Sequence, residues 1–387
     1  MAKFICKSLI LLYFYLLSSA SFAAPTSDAE WFNVKPGNFA NWEFTYDATE
    51  NHVEIILAND LATTEKRTRP KKILVVYAKK SKAYDTALSK LLSVFSEKNM
   101  NVGFRIILKD KENSLLEKKL SSAEEDGFSL IMAMGSNSVI SALEVYTNGS
   151  LPVLTICAKD PVLMKQVQDY DSGSGNNFAF TSLNTRAEAI FDYIKLLKPS
   201  LTNIGILYAE QNSSAVKTQF LPMQALSASY GVNVVGLGVK DRSKSADELR
   251  LLIPEAISQM SQSDPDLKES LLWITGSTSI MNEIELIDSL AGNVPILSAA
   301  TDVVSAGDIS AVLSIGVGFE TNAHLAAIYA VDILNGDDTR VKPVGVVNPP
   351  DIAINFLKAR EIGMKIPFSF FEIASVIYNG QGRQVRP

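Results

Sequence analysis

Cysteine and histidine are almost missing from this chain, with two of each in 387 residues. Cys6 lies in an N-terminal segment that has the three parts of an export signal: Lys3 and Lys7, an apolar stretch from Leu9 to Leu17, and the small-residue ending Ser21-Phe22-Ala23. Residues 1–23 are therefore expected to be a cleavable signal peptide. The apolar stretch is well short of the ~20 residues that cross a bilayer. Cys6 precedes that stretch rather than following it, which argues against a lipid anchor. Removal of the signal leaves Cys157 alone, so neither a disulfide nor a CxxC metal site can be drawn. His52 falls in an N-terminal hairpin and His324 in a helix, and no Cys–His or Ser–His–Asp set emerges. No GxGxxG follows a strand, and no GxxxxGK(S/T) loop occurs. Basic blocks are missing as well. The formal charge of −6 comes from interspersed signs, without the electrostatic footprint of a nucleic-acid binder. Enzyme chemistry, metal, cofactor and nucleic acid all drop out as expectations.

What remains is a repeated pattern. A mature chain of this size exceeds the ~250–300 residues at which single cores stop growing, so two lobes are expected. Residues 24–70 read as an extension and linker: a hairpin of Trp42–Tyr46 and Val53–Leu57 around the turn-prone Asp47–Asn51, then the polar run Ala62–Arg69 leading through Pro70. From there strands alternate with amphipathic helices. The first round takes strands Ile73–Tyr77, Val102–Leu108, Leu130–Met134, Val153–Ile156 and Phe178–Ser182, with helices Asp85–Lys98, Ser114–Glu125 and Ser136–Tyr146. After the helix Glu188–Leu197 a second round brings strands Ile204–Tyr208, Val232–Val239 and Leu271–Thr275, with helices Ala215–Tyr230, Ala246–Gln262 and Ile280–Leu290. Pro222 should kink or break the first of these. Such alternation builds parallel sheets covered on both faces. The segments left over (Pro295–Ser298, Ala311–Ile315, Ala323–Leu334, Ile352–Asn355) require several crossings. The expected division is residues 71–182 plus about 300–342 in lobe 1, and 183–299 plus about 343–387 in lobe 2, joined by a multi-strand hinge.

In open parallel sheets ligands bind beyond the carboxyl ends of the strands, where helix N-termini and loop amides face outward. Three polar loops occupy such positions: Gly135-Ser136-Asn137-Ser138, Glu210-Gln211-Asn212-Ser213-Ser214 and Thr275-Gly276-Ser277-Thr278-Ser279. The first suits a ligand carboxylate, although serine and asparagine are also ordinary helix caps. Asp160, held extended by Pro161, either receives a ligand ammonium or caps the following turn with Pro161 at its first position.

Several runs resemble one family: Leu130-Ile-Met-Ala-Met-Gly-Ser136, Leu151-Pro-Val-Leu-Thr155 leading into Asp160-Pro161-Val162, Asn203-Ile-Gly-Ile-Leu-Tyr208, and the ending Ile352 to Pro367 with its Gly-x-x-Ile-Pro. They are similar to ABC-transporter substrate-binding proteins, the family that includes tryptophan- and tyrosine-binding members. The resemblance covers roughly Lys71 to Pro367 and implies a type I periplasmic-binding fold that closes on a ligand. It also implies ligand contacts at Ser136, Asn137, Asp160, Asn212, Ser213, Ser277 and Thr278. Two departures stand out: Lys159 where a small hydroxyl residue is usual, and Ala299-Ala300 where a polar or acidic pair is common. Thr301 and Asp302 either restore the polarity one turn later or Asp302 caps a helix. The implied function is a periplasmic receptor, expected to be a monomer, that delivers a small polar ligand, such as an amino acid, to an inner-membrane permease. The rival is a ligand-sensing or protein-interaction module on the same lobes, acting through the N-terminal extension.

Overall fold

The computed structural model describes residues 30–34, 39, 41–57, 69–109 and 112–386. The expected signal peptide, and the linker apart from Arg69, lie outside the described residues. Among the described residues two large sheets form. The first contains β1 (Trp42–Asp47), β2 (His52–Leu57), β3 (Lys71–Tyr77), β4 (Val102–Leu108), β5 (Phe128–Met134), β6 (Val153–Ile156) and β7 (Phe178–Ala179), in the order β1-β2-β4-β3-β5-β6-β7. From β4 onward every pair is parallel. The apolar runs of β3 and β5 are buried on both faces, and alternate residues serve different layers. Ile73, Val75, Tyr77, Leu130 and Met132 pack toward helices Lys82–Glu97 and Phe319–Leu334. Leu74, Val76, Ile131 and Ala133 pack toward helices Asn113–Ser121 and Ser136–Tyr146.

The N-terminal hairpin has the expected strands, but it is not appended to the lobe. β2 pairs antiparallel with β4, placing Ile55 opposite Phe104, so the hairpin adds two strands to the edge of the first sheet. Trp42, Phe44, Val53 and Ile55 join the same core as Phe95 and Phe104, and Trp42 Nε1 donates to Ser96 Oγ at 2.8 Å. Upstream, Trp31 and Phe32 lie against Tyr77 at the end of β3. Asp85 is shut in beneath this segment; burial raises its carboxyl to about 6 even though Asn33 donates to it.

The chain leaves the first lobe through β8 (Thr181–Ser182). The second sheet takes β9 (Asn203–Ala209), β10 (Asn233–Val239), β11 (Ser270–Ile274), β12 (Ile296–Ser298) and β13 (Leu313–Gly316). After β14 (Gly345–Val346) it adds β15 (Asp351–Asn355), β16 (Val376–Tyr378) and β17 (Gln384–Arg386). The order is β10-β9-β11-β12-β13-β15-β16-β17. This corrects the expected return point near residue 300. β13 pairs with β12, Leu297 facing Leu313, so 300–316 stay in the second lobe and the chain goes back just before helix Phe319–Leu334. A short apolar run such as Val312–Ile315 suits either sheet by hydrophobicity, and only the pairing partner decides.

The hinge is multi-stranded, as expected. β8 and β14 pair in parallel, and Gly318 N–H donates to Asp351 Oδ2 at 2.7 Å, tying two crossings together. Pro222 acts differently from a simple kink. The helix opened at Ser213 widens into a π-turn at Val216–Phe220, where Leu221 N–H reaches back to Val216 O, and resumes as Leu221–Leu226. The wide turn accommodates the missing proline donor without ending the helix.

Trp42→Ala is expected to lower stability by about 3–5 kcal/mol and to shift the single main transition of lobe 1 in urea. Retention of the wild-type midpoint would mean that the hairpin is a separate module.

Candidate ligand site between the two sheets

The carboxyl ends of β5 and β6 build one wall. Gly135 closes β5 at φ +91°, where a β-carbon would come 1.9 Å from Tyr84 Oη. The turn is thus compatible with glycine alone. β6 ends on Cys157, a non-glycine residue at φ +54°. Its N–H donates to Asn322 Oδ1 at 2.8 Å, while Asn322 Nδ2 donates to Ser182 O at 3.1 Å. The buried asparagine therefore holds the strained corner and the hinge strand β8 together. Burial pushes the Cys157 thiol far above its ordinary range, the opposite of a nucleophile's environment.

The residues singled out from sequence separate into different roles. Ser136 Oγ accepts the Lys159 N–H at 3.1 Å, binding the two wall loops to each other. Asn137 is exposed at the tip, and Ser138 is buried in the first turn of the helix, its hydroxyl unpartnered. Of the two readings of Asp160, the structure realises the cap. Oδ1 accepts Val162 and Leu163 N–H at 3.0 Å each, and Oδ2 accepts Tyr170 Oη at 2.8 Å and Ser182 Oγ at 3.3 Å.

Across the cleft the second sheet supplies the opposite wall. Asn212 Nδ2 donates to Ser277 Oγ at 3.2 Å, and Asn212 Oδ1 accepts Ser214 Oγ–H at 3.0 Å. Ser277 is buried and bonded to Thr275 Oγ1, so it stiffens the loop rather than facing solvent. Ser213, Thr278 and Asp302 are exposed at loop ends.

Two further residues fill the middle. Gln219 comes from the π-turn ahead of Pro222, and its Oε1 accepts the Gly276 N–H at 2.6 Å. Lys159 extends from the first wall to the second: a β-carbon on Gly276 would sit 2.8 Å from Lys159 Nζ. Burial lowers this ammonium to about 8. Lys159 was visible in the sequence as a departure at a cleft position. Gln219 carried no signal, because its place depends on a helix widening that helical periodicity does not encode. Among the described residues no cluster of three His, Cys, Asp or Glu side chains is arranged to hold a metal ion, and no helix is long and apolar enough to cross a membrane.

A family profile described as "ABC transporter substrate binding protein" matches residues 92–375, most of the chain. The chain belongs to the ABC transporter substrate-binding proteins. No curated protein sequence matches this binding protein. Among solved structures, an ABC domain from Streptococcus pneumoniae in complex with L-Trp is 18% identical with a TM-score of 0.60, over 79% of this chain and 100% of that one. A ligand-free, open substrate-binding protein with adhesive properties from Clostridium difficile is 19% identical with a TM-score of 0.62, over 80% and 99%. A LacI family transcriptional regulator from Bifidobacterium animalis subsp. lactis is 12% identical with a TM-score of 0.50, over 74% and 96%. At these identities the likenesses show the fold, the type I periplasmic-binding arrangement of two α/β lobes expected from the sequence.

The depressed Lys159 has a consequence for the empty receptor. A lysine lowered from 10.5 to about 8 on folding makes the folded state bind fewer protons than the unfolded one between those values. Stability then rises with pH across that window, and below pH 8 the full penalty is present. Lys159→Met should therefore stabilise the ligand-free binding protein at pH 7, by about 2 kcal/mol after discounting for solvent screening. The difference from wild type should shrink as pH climbs from 8 toward 10.5 in urea titrations. Gly135→Ala should act in the other direction, costing roughly 2 kcal/mol or more through the collision with Tyr84 and the left-handed backbone.

Proposed function

We propose that this protein is an exported receptor that closes its two lobes on a small polar ligand and passes it to a permease in the membrane, without covalent chemistry. Family membership supports the receptor role and an extracytoplasmic location. The observation that carries the reading is the bridging of the cleft: Lys159, on the wall of the first lobe, lies against Gly276 and beside Gln219 on the second. A group that touches both walls responds to closure, and hinge closure about a ligand is a standard way for two-lobed proteins to signal occupancy. Asn137 on one side and Ser213 and Thr278 on the other are the exposed hydroxyl and amide groups at the facing loop ends, and we assign them ligand contact. Asp302 extends that rim. Ser136, Asn212 and Ser277 serve as positioning residues, because their side chains bind neighbouring loops. Asp160 acts in the same way through its cap. Delivery to a permease suits a monomer that exposes both lobes. The solved L-Trp complex makes amino acids a natural first class to try.

The purified protein, unfolded and refolded to remove carried ligand, should show a raised melting midpoint with members of a panel of amino acids, organic acids, sugars and nucleosides. A ligand at 100 times its Kd stabilises by about 2.7 kcal/mol. A panel-wide lack of any shift, together with no compaction in small-angle scattering, would sink the receptor reading.

A further inference from the structure

The cleft holds a cation with no counter-charge of its own. Lys159 follows the left-handed corner at Cys157 and carries its ammonium across to Gly276 and the side chain of Gln219. Carboxylates that stand near in sequence are committed elsewhere. Both oxygens of Asp160 are occupied by Val162, Leu163, Tyr170 and Ser182. Glu210, at the end of β9, lies toward Gly238 on the outer strand pair. After β12, Ala299 and Ala300 offer no side-chain acceptor. Burial alone sets the lowered Lys159, with no carboxylate opposing it. A charge removed from water without a partner is costly, and an oxyanion placed on it offsets that cost.

From this arrangement, which rests on the receptor reading above, we infer that the ligand is a small organic acid. Its carboxylate is seated on the Lys159 ammonium, and it has no α-ammonium group. An amino acid would bring its own ammonium into the cleft, where Asp160 is saturated and the Ala299-Ala300 stretch is apolar. A phosphate monoester suits the site less well. Dianionic phosphate is favoured by arginine forks or several charged donors, whereas Lys159 stands alone here and Arg186 is stacked over Tyr170 at 4.4 Å from its ring centre.

Calorimetry on the stripped protein with matched pairs tests this: phenylpyruvate against phenylalanine, indole-3-propionate against tryptophan, succinate against aspartate, with glucose and glucose 6-phosphate alongside. At least one acid is expected to bind roughly 10-fold or more tighter than its amino-acid counterpart. Lys159→Gln should weaken that acid by roughly 10- to 100-fold, the range for a hydrogen bond to a charged group, and Lys159→Arg should weaken it less. Circular dichroism and the melting midpoint of Lys159→Gln separate a lost contact from a lost fold. An amino acid that binds as tightly as its acid overturns the inference but leaves the receptor reading standing. So do a preference for glucose 6-phosphate or glucose, and an affinity unmoved by Lys159→Gln. Absence of binding and of closure across every class removes both.

Discussion

How β6 ends governs the cleft. A strand that stops on a buried cysteine in the left-handed region is strained unless its surroundings hold it. Here Asn322 holds it from the helix of the returning chain, accepting the Cys157 N–H and donating to β8. Two residues on, Asp160 gathers four donors from its own turn, from Tyr170 and from Ser182. Between these anchors sits Lys159. Its direction follows from the corner and the cap on either side of it, and that direction takes its ammonium out of its own lobe. Since Asn322 and Ser182 belong to segments at the hinge, the wall of the site and the crossing of the chain form one hydrogen-bonded unit. A rotation of the lobes is therefore felt where a ligand would lie.

The opposite wall is built from softer parts. Asn212, Ser277 and Thr275 bond to one another, and the π-turn lets Gln219 reach the Gly276 amide. Beneath that turn Phe220 stacks on Tyr208 with ring centres 4.0 Å apart, which fixes the wide turn on β9. Proline at 222 and glutamine at 219 are thus linked: the first removes a donor, the helix skips a register, and the skip carries the second toward the cleft. Glycine at 276 leaves room for Lys159 where any side chain would collide with it.

The N-terminal hairpin shows how an open sheet edge is managed. β4 would end the first sheet with an unpaired edge; the antiparallel hairpin covers it and brings Trp42 and Phe44 into the core. Its strands were legible from alternation around Asp47–Asn51. Its place was not, because an edge strand's partner lies about fifty residues away in sequence and leaves no local mark. The same limit displaced the second crossing. The apolar run at Val312–Ile315 announced a buried strand without saying which sheet would bury it.

Local patterning determined a good deal by itself. The alternation of strands and helices, the two-lobed class and the three polar loops at strand ends all follow from periodicity and turn chemistry within windows of a dozen residues. The family was legible in short runs such as Asn203–Tyr208 and the Gly-x-x-Ile-Pro ending. Tertiary structure alone decided which candidate side chains are free and which are spent. Ser136, Asp160, Asn212 and Ser277 have identical residue types to ligand-contacting groups, and only their partners turn them into supports. Lys159 gave the reverse case. As a residue it was an irregularity in a familiar loop, and its meaning came from Gly276 and Gln219, more than fifty positions away. Whether a polar group binds a ligand or a neighbour is set by what lies within 3 Å of it, and that distance is a property of the folded chain.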